Sequence, residues 1–210
     1  LADKPTISFH VDAVQALAKI PTEKYLTERV DFATFSGHKF HGVRGVGFVY
    51  IKSGKKITPL LTGGGQERDY RSTTENVAGI AATAKALRLS MEKLDFFTSK
   101  TGQMKAVIRQ ALLDYPDIFV FSDEEDFAPH ILTFGIKGVR GEVIVHAFED
   151  YDIFISTTSA CSSKAGKPAG TLIAMGVDKD KAQSAVRLSL DLENDMSQVE
   201  QFLTKLKLIY

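Results

Sequence analysis

The chain has 210 residues, 44% hydrophobic and 25% charged, an ordinary globular composition with apolar material for one or two cores. Lys plus Arg and Asp plus Glu each total 26, for a formal net charge of zero, so nothing favours nucleic acid or an anionic membrane as a bulk partner. The single cysteine, Cys161, excludes an internal disulfide and a cysteine-rich metal centre; no metal-ligand spacing appears, and no apolar run approaches the ~20 residues of a membrane span.

The chain opens on Leu1, not methionine, and a strand pattern arrives almost at once, which reads as a piece of something longer. The opening lacks the layout of a signal peptide, so the expected compartment is the cytoplasm. Residues 6–11, 30–35 and 46–51 are short, β-branched and aromatic and read as strands of an α/β sheet. Between the first two, "AVQALAKI" and "TEKYLTER" predict a helix. The glycines of "LTGGGQERDYRS" mark a tight turn at Gly63 to Gly65. A long amphipathic helical stretch then runs from Thr74, its expected cap, to Tyr115. From about residue 117 the pattern becomes strands in "IFVFS", "HILTFGI" and "IFIST", a helix in "GEVIVHAFEDY", a polar loop and a C-terminal helix in "SQVEQFLTKLKLIY". We expect an α/β unit over 1–95, including the connecting helix, and an α+β domain over 96–210.

In open α/β sheets, ligands sit outside the carboxyl ends of strands. Asp12 follows the first strand, and Ser36, His38 and Lys39 follow the second. Taken singly these are ordinary: Asp12 a helix cap, Lys39 a solvated amine. Together they answer one chemical demand, in which a lysine forms a Schiff base with the aldehyde of pyridoxal phosphate, a carboxylate keeps its pyridine nitrogen protonated, and hydroxyl and imidazole groups hold its phosphate. Other glycine readings fail, because "GVRGVG" leads into a strand and "GGGQER" lacks the Lys and Ser/Thr of a phosphate loop. His10, within a strand, and His41, His130 and His146 read as structural or solvated.

"FHVDAVQ", "VDFATFSGHKFHGVRGVGFVYI", "GGGQERDYRSTTENVAGI" and "STTSACSSKAGKPAGTLIAMGV", followed by "SAVRLSL", resemble in that order the cysteine desulfurases of the aminotransferase class V family. The resemblance covers nearly the whole chain. It implies a fold-type I pyridoxal-phosphate enzyme, with 1–95 the C-terminal part of the large cofactor domain and 96–210 the small domain carrying a cysteine loop. It makes Lys39 the Schiff-base lysine, Asp12 the partner of the pyridine nitrogen, Gln15 a donor to the ring hydroxyl, and Ser36 and His38 phosphate ligands. Thr74 matches a threonine that reaches the phosphate of the other subunit, implying a homodimer with shared sites. Arg187 matches the arginine that clamps the substrate carboxylate. Cys161 lies among Ser, Thr, Gly and Lys, as in the desulfurases with a longer, flexible loop. There its thiolate would take sulfur from L-cysteine as a persulfide and carry it to an acceptor protein, an iron–sulfur scaffold or a tRNA-thiolation enzyme. Lys164 or Lys167 would favour the thiolate.

The sequence departs from the family pattern at Thr73, before Thr74, and at Asp191, both places where glycine is common. It also lacks the family's N-terminal portion, with the histidine that stacks on the ring and further phosphate donors. The expectation is therefore a desulfurase parent and a chain that alone turns over cysteine negligibly. Another class V aminotransferase or lyase, and a non-catalytic piece that keeps the fold, stay open as alternatives.

Overall fold

The computed structural model describes residues 4, 6–122, 127–157 and 170–210. The chain divides into two compact units, Leu1–Asp95 and Phe96–Tyr210.

The first unit is organised by three strands, β1 (His10–Asp12), β2 (Phe32–Ser36) and β3 (Gly47–Ile51), in that spatial order. β1 runs parallel to β2, with Asp12 opposite Thr34, and β3 runs antiparallel to β2, with Gly47 opposite Ser36. The two-residue alternation of β2 buries Ala33 and Phe35 and leaves Phe32, Thr34 and Ser36 half-buried on the other face. Ala33 and Phe35 join Ala13, Leu17, Ala18, Tyr25, Val30 and Phe40 in one apolar core. Phe35 stacks on Phe48 with ring centroids 4.8 Å apart.

Two sequence expectations fail here. The first strand spans only His10–Asp12 rather than 6–11, and the helix expected after it does not form. Ala16 and Leu17 donate to the Ala13 carbonyl, and Lys19 and Ile20 to the Ala16 carbonyl, but between these two turns Ala18 is left-handed at φ 58°. Pro21, with no N–H to donate and an extended backbone, stops any continuation. Only the short 3-10 turn Thr22–Lys24 follows. A buried carboxylate holds this return path. Asp31 accepts from the Phe9 N–H at 2.9 Å, from Arg29 at 3.0 Å and from Lys55 at 3.1 Å, and Arg29 also donates to the carbonyls of Lys4 and Ile7. These bonds, the Phe9 N–H first, lower the Asp31 carboxyl to about 2.

The long helical stretch is two helices, α1 (Val77–Glu92) and α2 (Leu94–Leu112), broken where Lys93 leaves helical geometry. Asn76 rather than Thr74 caps α1, its side chain accepting from the Gly79 N–H at 3.0 Å.

The second unit is an antiparallel sheet of β4 (Ile118–Val120), β5 (Ile131–Ile136), β6 (Ser156–Thr157) and β7 (Val186–Ser189), in spatial order β4-β5-β7-β6. It is accompanied by α3 (Gly141–Glu149), the short helices α4 (Gly170–Ala174) and α5 (Lys179–Gln183), and α6 (Met196–Ile209). Met104, Ile108 and Leu112 of α2 enter the same core as Leu132, Phe134, Ile144, Phe148, Val186, Phe202 and Leu206. Phe148 of α3 stacks on Phe202 of α6 at 4.9 Å and 11°. Asp195 and Gln198 close a capping box at the start of α6.

Candidate functional site

β2 passes from Ser36 directly into the 3-10 turn Gly37–Phe40, which carries His38 and Lys39. The Gly37 N–H donates to the Val46 carbonyl at 2.9 Å, and the Gly42 N–H returns to the Gly37 carbonyl at 2.9 Å. His41, at φ 66°, ends the turn. Phe40, 1% exposed, pins the turn into the core, and Ser90 of α1 donates to its carbonyl at 3.2 Å. Thr83 of α1 covers Gly37 so closely that a Cβ there would lie 2.9 Å from the threonine methyl. Lys39 is thus a half-buried amine on a turn fixed at both ends.

The parallel register brings Asp12 to the same end of the sheet. It lies opposite Thr34, two residues before Ser36, and the Ala13 N–H donates to the Thr34 carbonyl at 3.1 Å. Asp12 caps no helix. Its carboxylate accepts from the Val14 N–H at 3.2 Å, a local turn bond that leaves the carboxylate exposed. Gln15 is exposed in the same turn. Ser36, although it precedes a 3-10 turn, does not spend its hydroxyl on a cap. Among the described residues, the side chains of Gln15, Ser36, His38 and Lys39 have no hydrogen-bond or ion-pair partner. One strand end therefore offers an amine, an imidazole and a hydroxyl to an anion, beside a carboxylate on the neighbouring strand that suits a cation or a protonated ring nitrogen.

Thr74 lies exposed in the loop before α1 and makes no described contact with this group. That loop follows a left-handed path in which Glu67, Arg68 and Asp69 have φ of 50°, 56° and 67°, a conformation that disfavours non-glycine residues by about 1–2 kcal/mol each. Arg187 belongs to the second unit, on β7, between Thr133 and Ser156 of the flanking strands. Its Nε is buried with no hydrogen-bond partner among the described residues. Cys161 lies outside the described residues, as do Lys164 and Lys167.

Sequence alone gives His10 a structural or solvated place and gives Thr34 no role. Their side chains meet on the open face of the sheet, His10 Nε2 to Thr34 Oγ1 at 3.2 Å, the face that also carries Asp12 and Ser36. The signal was present in "FHVDA", where His10 and Asp12 stand two apart and a strand puts both on one face.

The aminotransferase class-V family model matches residues 1–202. A NifS/IcsS protein homolog from Lactobacillus delbrueckii subsp. bulgaricus is 49% identical over 211 residues, covering 100% of this chain and 55% of that protein. A cysteine desulfurase from Trichormus azollae is 37% identical over 194 residues, 92% of this chain and 48% of its own. Among solved structures, a NifS-like protein superposes with a TM-score of 0.83 at 36% identity, covering 96% of this chain and 52% of that one. A NifS-like protein from Rickettsia africae does so with 0.85 at 28% identity, covering 100% and 55%. The chain spans about half the length of the curated relatives it matches.

Proposed function

The chain belongs to the aminotransferase class-V family, and from that premise we propose that its full-length parent is a pyridoxal-phosphate-dependent cysteine desulfurase, converting L-cysteine to L-alanine with capture of the sulfur on Cys161. The fold is that of the fold-type I enzymes. The observation that carries the reading is the convergence of Asp12, Ser36, His38 and Lys39 at one strand end, with three of the four side chains unengaged among the described residues. That donor set fits pyridoxal phosphate: the Lys39 amine for its aldehyde, the Ser36 hydroxyl and His38 ring for its phosphate, Asp12 for its ring nitrogen and Gln15 for its ring hydroxyl. When bound, pyridoxal phosphate supplies an electron sink for carbanion chemistry at the amino acid.

The chain's own groups supply the rest. Asp12 would hold a proton on the pyridine nitrogen by charge and hydrogen bonding, while Ser36 and His38 would anchor the phosphate. With that cofactor bound, the Lys39 amine would serve as a base at the substrate's α-carbon and as a proton donor on the way to alanine. Arg187, whose buried Nε lacks a partner among the described residues, pairs its fork with the substrate carboxylate. The Cys161 thiolate attacks the substrate sulfur. The carbon–sulfur bond breaks, its electron pair stays with the substrate's β-carbon, and a proton completes alanine while the persulfide remains on Cys161. Lys164 or Lys167 favours the thiolate electrostatically.

The same proposal makes the parent a cytoplasmic homodimer in which Thr74 reaches the partner's cofactor phosphate. It delivers sulfur to an acceptor protein, an iron–sulfur scaffold or a tRNA-thiolation enzyme. Among the described residues no helix is long and apolar enough to cross a membrane.

The test is to assay the parent with L-cysteine and pyridoxal phosphate, following alanine and protein-bound persulfide. Cys161→Ser is expected to keep bound cofactor and lose the persulfide, because a hydroxyl is a poor nucleophile toward sulfur. Unchanged persulfide and sulfide release in that variant would overturn the assignment of Cys161.

A further inference from the structure

We propose that His10 and Thr34 form a positioning pair that fixes the flank of Asp12, and that through Asp12 they govern how tightly the parent holds pyridoxal phosphate with its ring nitrogen protonated. This rests on the proposed cofactor reading and concerns residues to which that reading gives no role.

In the parallel pairing Asp12 stands directly opposite Thr34, and His10 opposite Phe32. Neighbouring strands lie about 4.8 Å apart, so the Thr34 and Asp12 side chains are neighbours on one face of the sheet. His10 is two residues earlier on the same face, about 6.6 Å back along the strand. Its Nε2 reaches diagonally across to Thr34 Oγ1 at 3.2 Å. The Thr34 backbone is held as well, since its carbonyl accepts from the Ala13 N–H at 3.1 Å.

Thr34 thus has an anchored main chain on one side and an imidazole on the other, and these restrain the rotamer that its branched side chain would otherwise share between wells. In the tautomer that carries its proton on Nε2, His10 donates to the threonine oxygen, which leaves the Thr34 hydroxyl proton free to be donated. The Asp12 carboxylate has only a local bond from the Val14 N–H, and its side chain is exposed. A carboxylate held this loosely needs a fixed neighbour to keep one oxygen aimed at a ring nitrogen, the role that supporting hydrogen bonds play around other ligand-holding groups. A purely structural pair would be expected at a buried position. His10 is exposed, so the bond contributes little to the core and most where Asp12 must point.

The experiment uses the full-length parent. Apo-protein is prepared for the unsubstituted parent, His10→Ala, His10→Gln, Thr34→Val and the His10→Ala/Thr34→Val double variant. The dissociation constant for pyridoxal phosphate and the visible absorption band of the bound cofactor are measured, with thermal unfolding of the apo-proteins alongside. His10→Ala and Thr34→Val are each expected to weaken cofactor binding by about 3- to 10-fold, the range for loss of one neutral hydrogen bond, and to shift the band, with apo-protein melting unchanged. The double variant should be no weaker than either single one. His10→Gln, whose amide nitrogen occupies the place of Nε2, should restore both readouts.

Binding and spectrum unchanged in His10→Ala would overturn the proposal, as would additive losses in the double variant or a loss of binding accompanied by an equal loss of apo-protein stability. Failure of the unsubstituted parent to bind pyridoxal phosphate would overturn the cofactor reading itself, and this inference with it.

Discussion

Gly37→Ala is the smallest change that strains the lysine turn, and its cost can be worked from the contacts. A Cβ at residue 37 would lie 2.9 Å from Thr83 Cγ2, 3.0 Å from Thr83 Oγ1 and 3.1 Å from the Val46 carbonyl oxygen. None of these yields easily. Thr83 is 4% exposed on α1, where a β-branched side chain has little rotamer choice, and the Val46 carbonyl is committed to the Gly37 N–H. Inserting a methyl into such packing costs about 1–3 kcal/mol. It also pushes the turn off α1, displacing Lys39 two residues later. Thr83→Ala removes two of the three close contacts. By itself it is mild, because the Thr83 hydroxyl is buried with no hydrogen-bond partner among the described residues and its removal relieves an unsatisfied group. Denaturant unfolding and pyridoxal-phosphate titration of the parent should show both quantities reduced in Gly37→Ala and partly recovered in Gly37→Ala/Thr83→Ala, the residue of the loss being the Val46 contact. Strict additivity in that cycle would refute the claim that α1 sets the position of the lysine turn.

Other consequences follow from the same contacts. Because its partners hold the Asp31 carboxyl near 2, below the ordinary 3.8, Asp31 stabilises the fold fully above about pH 4, and that contribution is lost as pH falls toward 2. Acid unfolding should therefore flatten in Asp31→Asn, which is also less stable at neutral pH, and an unaltered acid limb would contradict the assignment. In the second unit, Phe202→Ala removes a ring stacked on Phe148 and edge-on to Phe134, with an expected loss of about 3–5 kcal/mol in urea unfolding; a loss under ~1 kcal/mol would mean that the core closes around the gap.

The site was more legible in the sequence than the elements that carry it. "SGHK" after an apolar run reads as basic groups at the mouth of a strand, and β2 does end at Ser36, while the parallel register that sets Asp12 against Thr34 comes from the structure. The helix expected over 13–29 does not form because the apolar spacing there serves a compact return loop, punctuated by Ala18 and Pro21 and held by Asp31. Local periodicity does not reveal such long-range anchoring. The cap moved from Thr74 to Asn76 because the helix begins two residues later than its pattern suggested. β7 read only as a motif around Arg187, and α4 and α5, at five residues each, are too short for periodicity to detect. His10 was passed over because a lone strand histidine is ordinarily structural; its meaning comes from Thr34, 24 residues away.

The most direct test of the central claim, that this strand end is a cofactor site built around Lys39, is covalent mapping. The parent is loaded with pyridoxal phosphate, reduced with borohydride, digested and analysed by mass spectrometry. The pyridoxyl mass is expected on the peptide containing Lys39, and is expected to be absent from that peptide in Lys39→Ala. A stoichiometric label on any other lysine, with Lys39 unmodified, would contradict it.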